Sequence, residues 1–442
     1  MEQRVQETNK PDGLAKMLKY RYLVWSFLAI AYLVVFFHRL AAGVVRLDLI
    51  QAFSISDSTF SAIGTTYFYV YLVMQIPTGM LVDSIGPRKT VTVGSLIAGV
   101  GSILFGSATA VPMLFVGRFL IGLGVSVIFV STLKILSQWF KPSEFSTMTG
   151  ITVFIGTMGG VIAQTPLAVL VENTSWRTAF IGIGIFSLFL TVGLYMFVRN
   201  TPAELGMPSV NDVNNTVKSN ASQAPKQSWA DLFKSVIIVM KNKRTWPIFF
   251  LYAGFYGAYV TMMGFWGTSY ISDVYGLEKL AASKYIISGV FGSAVGSLVI
   301  GRISDYLGKR KLPMLIFGTL CVLSWFYIVV VTGCKPPIQW MSVIMFILGF
   351  SGTGFVIGWA AGKEVNPPEN VGVATAVVNM GGFFGSIAIP PLLARVFDTY
   401  MGQMDVVLVY QKAFSYSLAA VVIGLMAGLL VKETDCKNIY SK

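Results

Sequence analysis

Four ionisable side chains stand inside apolar stretches that would ordinarily exclude them: His38, Arg39, Arg118 and Lys134. No acid does the same. Asp48, Asp83, Glu172, Asp273, Asp305 and Glu364 all fall at or beyond the ends of such stretches. A charge held in hydrocarbon is costly and by default marks function. Positive or protonatable groups without acids suit an anion and would repel an organic cation. Arg39 lies too deep to reach water from either side, and its guanidinium can grip a carboxylate, phosphate or sulfonate through two parallel hydrogen bonds. A purely structural buried arginine is the alternative. His38, the single histidine of the chain, projects about 100° away round a helix. It either titrates, from an ordinary pKa of about 6.5, or packs as a neutral ring. Arg118 suits substrate attraction or interfacial anchoring, and Lys134 suits snorkelling to the near surface.

Neutral polar residues extend this set. Tyr67, Tyr71 and Gln75 recur every four residues and end at Pro77, one polar stripe on an apolar helix. Hydroxyl and amide groups facing lipid would be unsatisfied, so the stripe faces protein or a cavity. Gln164 before Pro166, the isolated Asn379, and Tyr252, Tyr256 and Tyr259 have the same character. The candidate substrate site is therefore Arg39, His38, Tyr67, Tyr71, Gln75, Arg118, Gln164, Tyr256 and Asn379, with helix–helix hydrogen bonding the alternative for each neutral member. Cys321, Cys334 and Cys436 have no metal-ligand spacing and build no disulfide framework. One histidine cannot make a metal cluster, and nucleophile-elbow, zinc-protease and phosphate-loop motifs do not occur. Neither an enzyme nor a cofactor or metal is expected.

The elements that must position these residues are membrane helices. The chain is 55% hydrophobic and 12% charged, too apolar for a soluble surface. Stretches of about 20 apolar residues match the hydrocarbon core, and backbone groups in lipid require helices. Twelve are expected, over 23–45, 58–81, 90–109, 113–137, 147–171, 178–198, 246–268, 283–304, 313–333, 339–361, 371–395 and 407–431. With the N-terminus inside, cytoplasmic segments hold 23 of the 33 Lys and Arg and the opposite side 7, so both termini are expected to be cytoplasmic. The same bias accounts for the net charge of +13 through orientation and anionic lipid rather than nucleic acid.

A motif is written twice. Gly79-Met-Leu-Val-Asp83-Ser-Ile-Gly86-Pro-Arg88-Lys89 returns 222 positions later as Gly301-Arg-Ile-Ser-Asp305-Tyr-Leu-Gly308-Lys-Arg310-Lys311, and Lys141-Pro142-Ser143-Glu144 is echoed by Asn366-Pro367-Pro368-Glu369. Two six-helix pseudo-repeats around a central cavity allow one bundle to rock against the other. The expected order is a tail over 1–22, a bundle over 23–198, a linker over 199–245, a bundle over 246–431 and a tail over 432–442. Ser209 to Ser228 reads as flexible, and Leu232, Phe233, Val236, Ile237 and Met240 have the spacing of a helix lying on the membrane surface.

The duplicated loop resembles the signature of the major facilitator superfamily. The resemblance implies that Gly79, Asp83, Gly86, Arg88 and Lys89, with Asp305, Gly308 and Arg310, act as a conformational latch; a topology anchor is the alternative. Phe37-His38-Arg39 with Arg118-Phe-Leu-Ile-Gly122 resembles the organic-anion carriers, including sulfoacetate-type carriers, and implies that Arg39 and Arg118 bind the anion. His38 and Val125 replace the acids those carriers often place there, which leaves a proton, another ion or anion exchange open as the coupling. The expectation is a monomeric secondary transporter of the bacterial inner membrane for a small carboxylate, sulfonate or amino-acid-like anion. A drug or neutral-solute exporter, an amino-acid or peptide carrier and a membrane sensor are the alternatives.

Overall fold

A computed structural model describes residues 10–208 and 229–440. The stretch Ser209–Ser228 and the side chains of Asp83 and Leu232 lie outside the described residues. The long helices in chain order are α1 (Leu14–Leu40), α2 (Asp57–Ile85), α3 (Pro87–Gly106), α4 (Val111–Trp139), α5 (Met148–Asn173), α6 (Trp176–Phe197), α7 (Thr245–Tyr275), α8 (Lys279–Leu307), α9 (Lys311–Val331), α10 (Ile338–Glu364), α11 (Pro368–Tyr400) and α12 (Val406–Leu430). Eleven of them are long and apolar enough to cross a membrane. The other, α2, is 29 residues long, and its tyrosines, threonines and Gln75 dilute its hydropathy.

Local chemistry sets the helix ends. Ser56, Ser175 and Asp405 side chains accept backbone N–H groups at the starts of α2, α6 and α12. Gly86, with φ of 93°, makes the turn into α3, and Gly308, with φ of 59°, ends α8; both conformations favour a residue without Cβ. Pro166 interrupts α5, because it has no N–H to give and its ring crowds the preceding turn. A π-turn over Thr261–Trp266 widens α7. Large side chains such as Trp139, Trp266 and Trp325 are fully buried, while Phe189, Leu323 and Leu430 stand exposed on the outside. An apolar exterior of this kind is what lipid solvates.

One span boundary changes, and both tails carry structure of their own. The first helix ends at Leu40 rather than near 45, giving way to a turn over Gly43–Val45 and a short helix Arg46–Phe53. It also begins at Lys10, so much of the anticipated N-terminal tail is helical and anchored. Tyr20 donates to the Phe197 carbonyl at 2.7 Å, and Arg21 pairs with Glu144 at 2.8 Å. Finally, the tail after α12 is docked. Arg244 donates to the Ile439 carbonyl at 2.9 Å, and Asn438 donates to the Asn366 carbonyl at 2.9 Å. The short helix Trp229–Lys241 packs Val236 and Val239 inward and leaves Phe233, Ile237 and Met240 exposed, an apolar strip suited to the membrane surface.

Candidate substrate site

Arg39 is in the last turn of its helix, yet its neighbours belong to the middles of other helices. Nη1 donates to the hydroxyl of Tyr256 on α7 at 3.0 Å. Its guanidinium carbon lies 4.7 Å from the Phe36 ring, 5.3 Å from Tyr71 on α2 and 5.6 Å from Phe383 on α11. Tyr71 and Phe383 stack on each other with centroids 4.3 Å apart. The hydroxyls of Tyr32 and Tyr67 complete its polar surroundings. Nε is buried without a hydrogen-bond partner, and no described carboxylate pairs with the group. The result is a buried cation, 7% exposed, held by aromatic faces and one neutral hydrogen bond, on the seam between the two halves of the chain. Such a group has unspent capacity to bind an anion.

The remaining candidates divide between this centre and other places. Gln75 and Asn379 meet across the seam: Asn379 donates to the Gln75 carbonyl oxygen at 2.8 Å and accepts from Tyr252 at 3.1 Å. Tyr67 donates weakly, at 3.5 Å, to the Val35 carbonyl. His38 and Arg118 are elsewhere. Arg118 donates to the His38 carbonyl at 2.9 Å and lies over Phe105. The His38 ring is fully buried between Phe37 and Phe180, with neither nitrogen hydrogen-bonded. Both side chains thus sit among first-half helices, on a different face of α1 from Arg39, as the 100° step allows. Gln164 has no hydrogen bond to the Arg39 side chain; its amide donates to the Met263 carbonyl at 3.0 Å and, weakly, to the Leu40 carbonyl at 3.5 Å.

Sequence reasoning missed the aromatic members Phe36, Phe383 and Tyr32. Phe383 follows Asn379 by one helical turn, the signal that would have found it. A groove of about 430 Å³ runs between α9 and α10 among Leu323, Trp340 and Val343. Those side chains are exposed on the outside, and nothing there could neutralise an anion.

The two motif copies tie neighbouring helices together within each half. Arg88 donates to the Tyr195 carbonyl at 2.5 Å, and its N–H to Asn200 at 2.9 Å. Arg310 pairs with Asp305 at 2.8 Å and Glu364 at 2.9 Å. Those carboxylates outweigh its partial desolvation and raise its pKa. Glu433, from the docked tail, accepts the N–H groups of Arg310 and Lys311 at 2.8 and 3.0 Å. Burial works against its ionisation, but these backbone donors hold its carboxyl below the ordinary value. A Cβ at Gly79 would meet nothing within 4 Å, so this glycine is not required by close helix packing in the present arrangement.

A family model for the Major Facilitator Superfamily matches residues 28–390. The chain belongs to that superfamily. Among its relatives are a probable sulfoacetate transporter of Cupriavidus necator, 26% identical over 68% of this chain and 69% of that protein. Another is a probable hexose phosphate transport protein of Chlamydia trachomatis, 24% identical over 86% of each. The fold matches the crystal structure of a bacterial homologue of the human lysosomal transporter Spinster, with a TM-score of 0.72, 15% identity, and coverage of 93% of this chain and 96% of that one. The protein is accordingly an integral multi-pass membrane transporter and not an enzyme.

In this superfamily member the polar contacts across the seam gather at the end away from the duplicated motif. The Asp398 carboxylate at the end of α11 accepts the N–H groups of Asp57 and Ser58, at 2.8 and 3.1 Å, and so caps α2. Glu172 at the end of α5 accepts the N–H of Leu280 at 3.2 Å and caps α8. Lys279 pairs with Asp48 at 2.5 Å. Arg46, paired with Asp57 at 2.6 Å, lies over Trp266 from the other half. Gly43 approaches so closely that a Cβ would fall 2.8 Å from the Phe265 carbonyl. Among the described residues, no hydrogen bond crosses the seam beyond Gln75 and Asn379 toward the motif end. Gly79 and Gly372 continue the stripes of Gln75 and Asn379, yet both have open space where a Cβ would stand.

Proposed function

We propose that the chain is a secondary active transporter that carries a small organic anion by alternating access. In this reading all twelve long helices cross the membrane with both termini cytoplasmic, as two bundles over 23–198 and 246–431 joined by 199–245, with tails over 1–22 and 432–442, acting as a monomer. The 23-to-7 bias of basic residues supports that orientation. One observation carries the substrate assignment: a buried Arg39 at the seam, unmatched by any described carboxylate and bonded to Tyr256 of the opposite half. An anion seated there would touch both halves at once. The relatives named for sulfoacetate and hexose phosphate transport support the broad class of organic anions. No carboxylate is described among the central residues, so the compensating charge is proposed to travel with the substrate or by exchange for another anion.

The test is equilibrium binding to purified, monodisperse variants, with uptake into proteoliposomes as the second readout. Arg39→Lys keeps the charge but loses the planar fork, and should weaken binding by about 1–3 kcal/mol. Arg39→Ala should abolish it. Parent-like binding by Arg39→Ala would make the aromatic lining, rather than the charge, the recognition element, and a neutral-solute or drug carrier the better reading.

A further inference from the structure

We infer that the central site selects a singly charged anion with an uncharged body, and discriminates against dianions. This rests on the anion-carrier reading and narrows it. The other basic groups near the centre in sequence lie away from the seam or are paired: Arg118, its Nε also buried without a partner, donates to the His38 carbonyl and lies over Phe105 of the first half, Arg46 is paired with Asp57, and the His38 ring is enclosed by Phe37 and Phe180. One guanidinium is left for the cargo. Its shell is made of ring faces from Phe36, Tyr71 and Phe383, with the Tyr256 hydroxyl as the bonded polar group.

A first negative charge finds the unused Arg39 donors and satisfies a cation that otherwise lacks a counter-ion. A second negative charge finds no second cation. It would lie against aromatic faces, whose quadrupoles are negative, in a site too dry to solvate it. Tyrosine hydroxyls can donate to a carboxylate or to sugar-like hydroxyls, but they do not neutralise charge. The chain should therefore part company with relatives named for sulfoacetate and hexose phosphate, both of which are doubly charged near neutral pH.

The experiment uses matched probes on the purified full chain at pH 8: isethionate against sulfoacetate, and glucuronate against glucose 6-phosphate, by titration calorimetry or thermal shift. Within at least one pair the monoanion should bind at least tenfold tighter than the dianion. Glucose 6-phosphate should gain as the pH falls below about 6, where its phosphate becomes singly charged; sulfoacetate should not. A dianion that binds at pH 8 as tightly as its monoanionic partner, and loses binding in Arg39→Ala, overturns the selectivity while leaving the anion site standing. If no probe binds in an Arg39-dependent way, the selectivity and the anion reading both fall.

Discussion

Removing the two carboxylate caps at the end away from the motif should release the seam there. Asp398 receives two N–H groups of α2, Glu172 one of α8, and each carboxylate comes from the opposite half. Asp398→Asn and Glu172→Gln keep the shape and a neutral acceptor but remove the charge facing a helix N-terminus. Both carboxylates are exposed, so the charge–dipole contribution is at the low end, about 0.3–1 kcal/mol per cap. Loss of charge assistance in the hydrogen bonds adds a few tenths more. The caps lie on different helices with no shared partner, so the losses should add. The double variant is expected to shift the closed-to-open balance at this end by about 1–2 kcal/mol, roughly 5–30-fold. Spin labels at exposed Gln51 and Gln403, in a Cys436→Ser background that leaves only the buried Cys321 and Cys334, would report the population by electron–electron distance. A double variant whose distance distribution matches the parent would refute a role for the caps in holding this end shut.

Three further outcomes are expected. Arg118→Leu should leave anion binding within about threefold of the parent, in contrast to Arg39→Ala, because its guanidinium is bonded to the His38 carbonyl; loss of binding in a folded Arg118→Leu protein would return it to the site. Gly79→Leu and Gly372→Leu meet open space and gain helix propensity of up to about 1 kcal/mol each. They should stabilise the present arrangement to heat while slowing uptake, since α2 and α11 could no longer approach; unchanged turnover would sink this. Glu433→Gln should lower the melting temperature at pH 7. A carboxyl whose folded pKa is depressed contributes stability above its unfolded value and loses it as pH falls through the folded one, so the gap from the parent should close in acid; a gap independent of pH would contradict this.

Much of the architecture was legible because lipid leaves so few options. Apolar length and internal duplication located the long helices to within a few residues at most ends. The largest departures were the end of α7, which runs on to Tyr275 rather than 268, and the ends of α1. There the apolar run continues past Leu40 through Ala41–Val45, and hydropathy cannot distinguish a continuing helix from a buried turn. That turn brings Gly43 against Gly264 and Phe265 of the other half, a tertiary contact with no local signature. Arg39 was legible as a buried cation, whereas the separation of Arg118 and His38 from it was not. Which neighbour claims a guanidinium depends on helix rotation, and Arg118 found a backbone carbonyl. The caps were hidden for a related reason. Glu172 and Asp398 are 226 residues apart, close to the spacing of the duplicated motif, but a carboxylate beyond a span end looks like ordinary solvated surface until the facing helix start is known.

Charge placement then links recognition to movement. At the end away from the motif, each carboxylate or ammonium bridging the halves has its counterpart in place: Asp398 and Glu172 with helix N-termini, Lys279 with Asp48. At the motif end, Arg310 with Asp305 and Glu364, and Arg88 with Tyr195 and Asn200, bind helices within one half. Between these levels lies the one described cation on the seam without a counter-charge, Arg39, on the first half and bonded to Tyr256 on the second. In the proposed reading its partner is an anion supplied from outside the chain. An anion that takes the unused donors and also meets the Tyr256 hydroxyl interacts with both halves. Any rotation of the halves changes the distance between those two contacts. A ligand shifts a conformational balance only through unequal affinity for its states, and a site divided across the seam provides that inequality without further machinery.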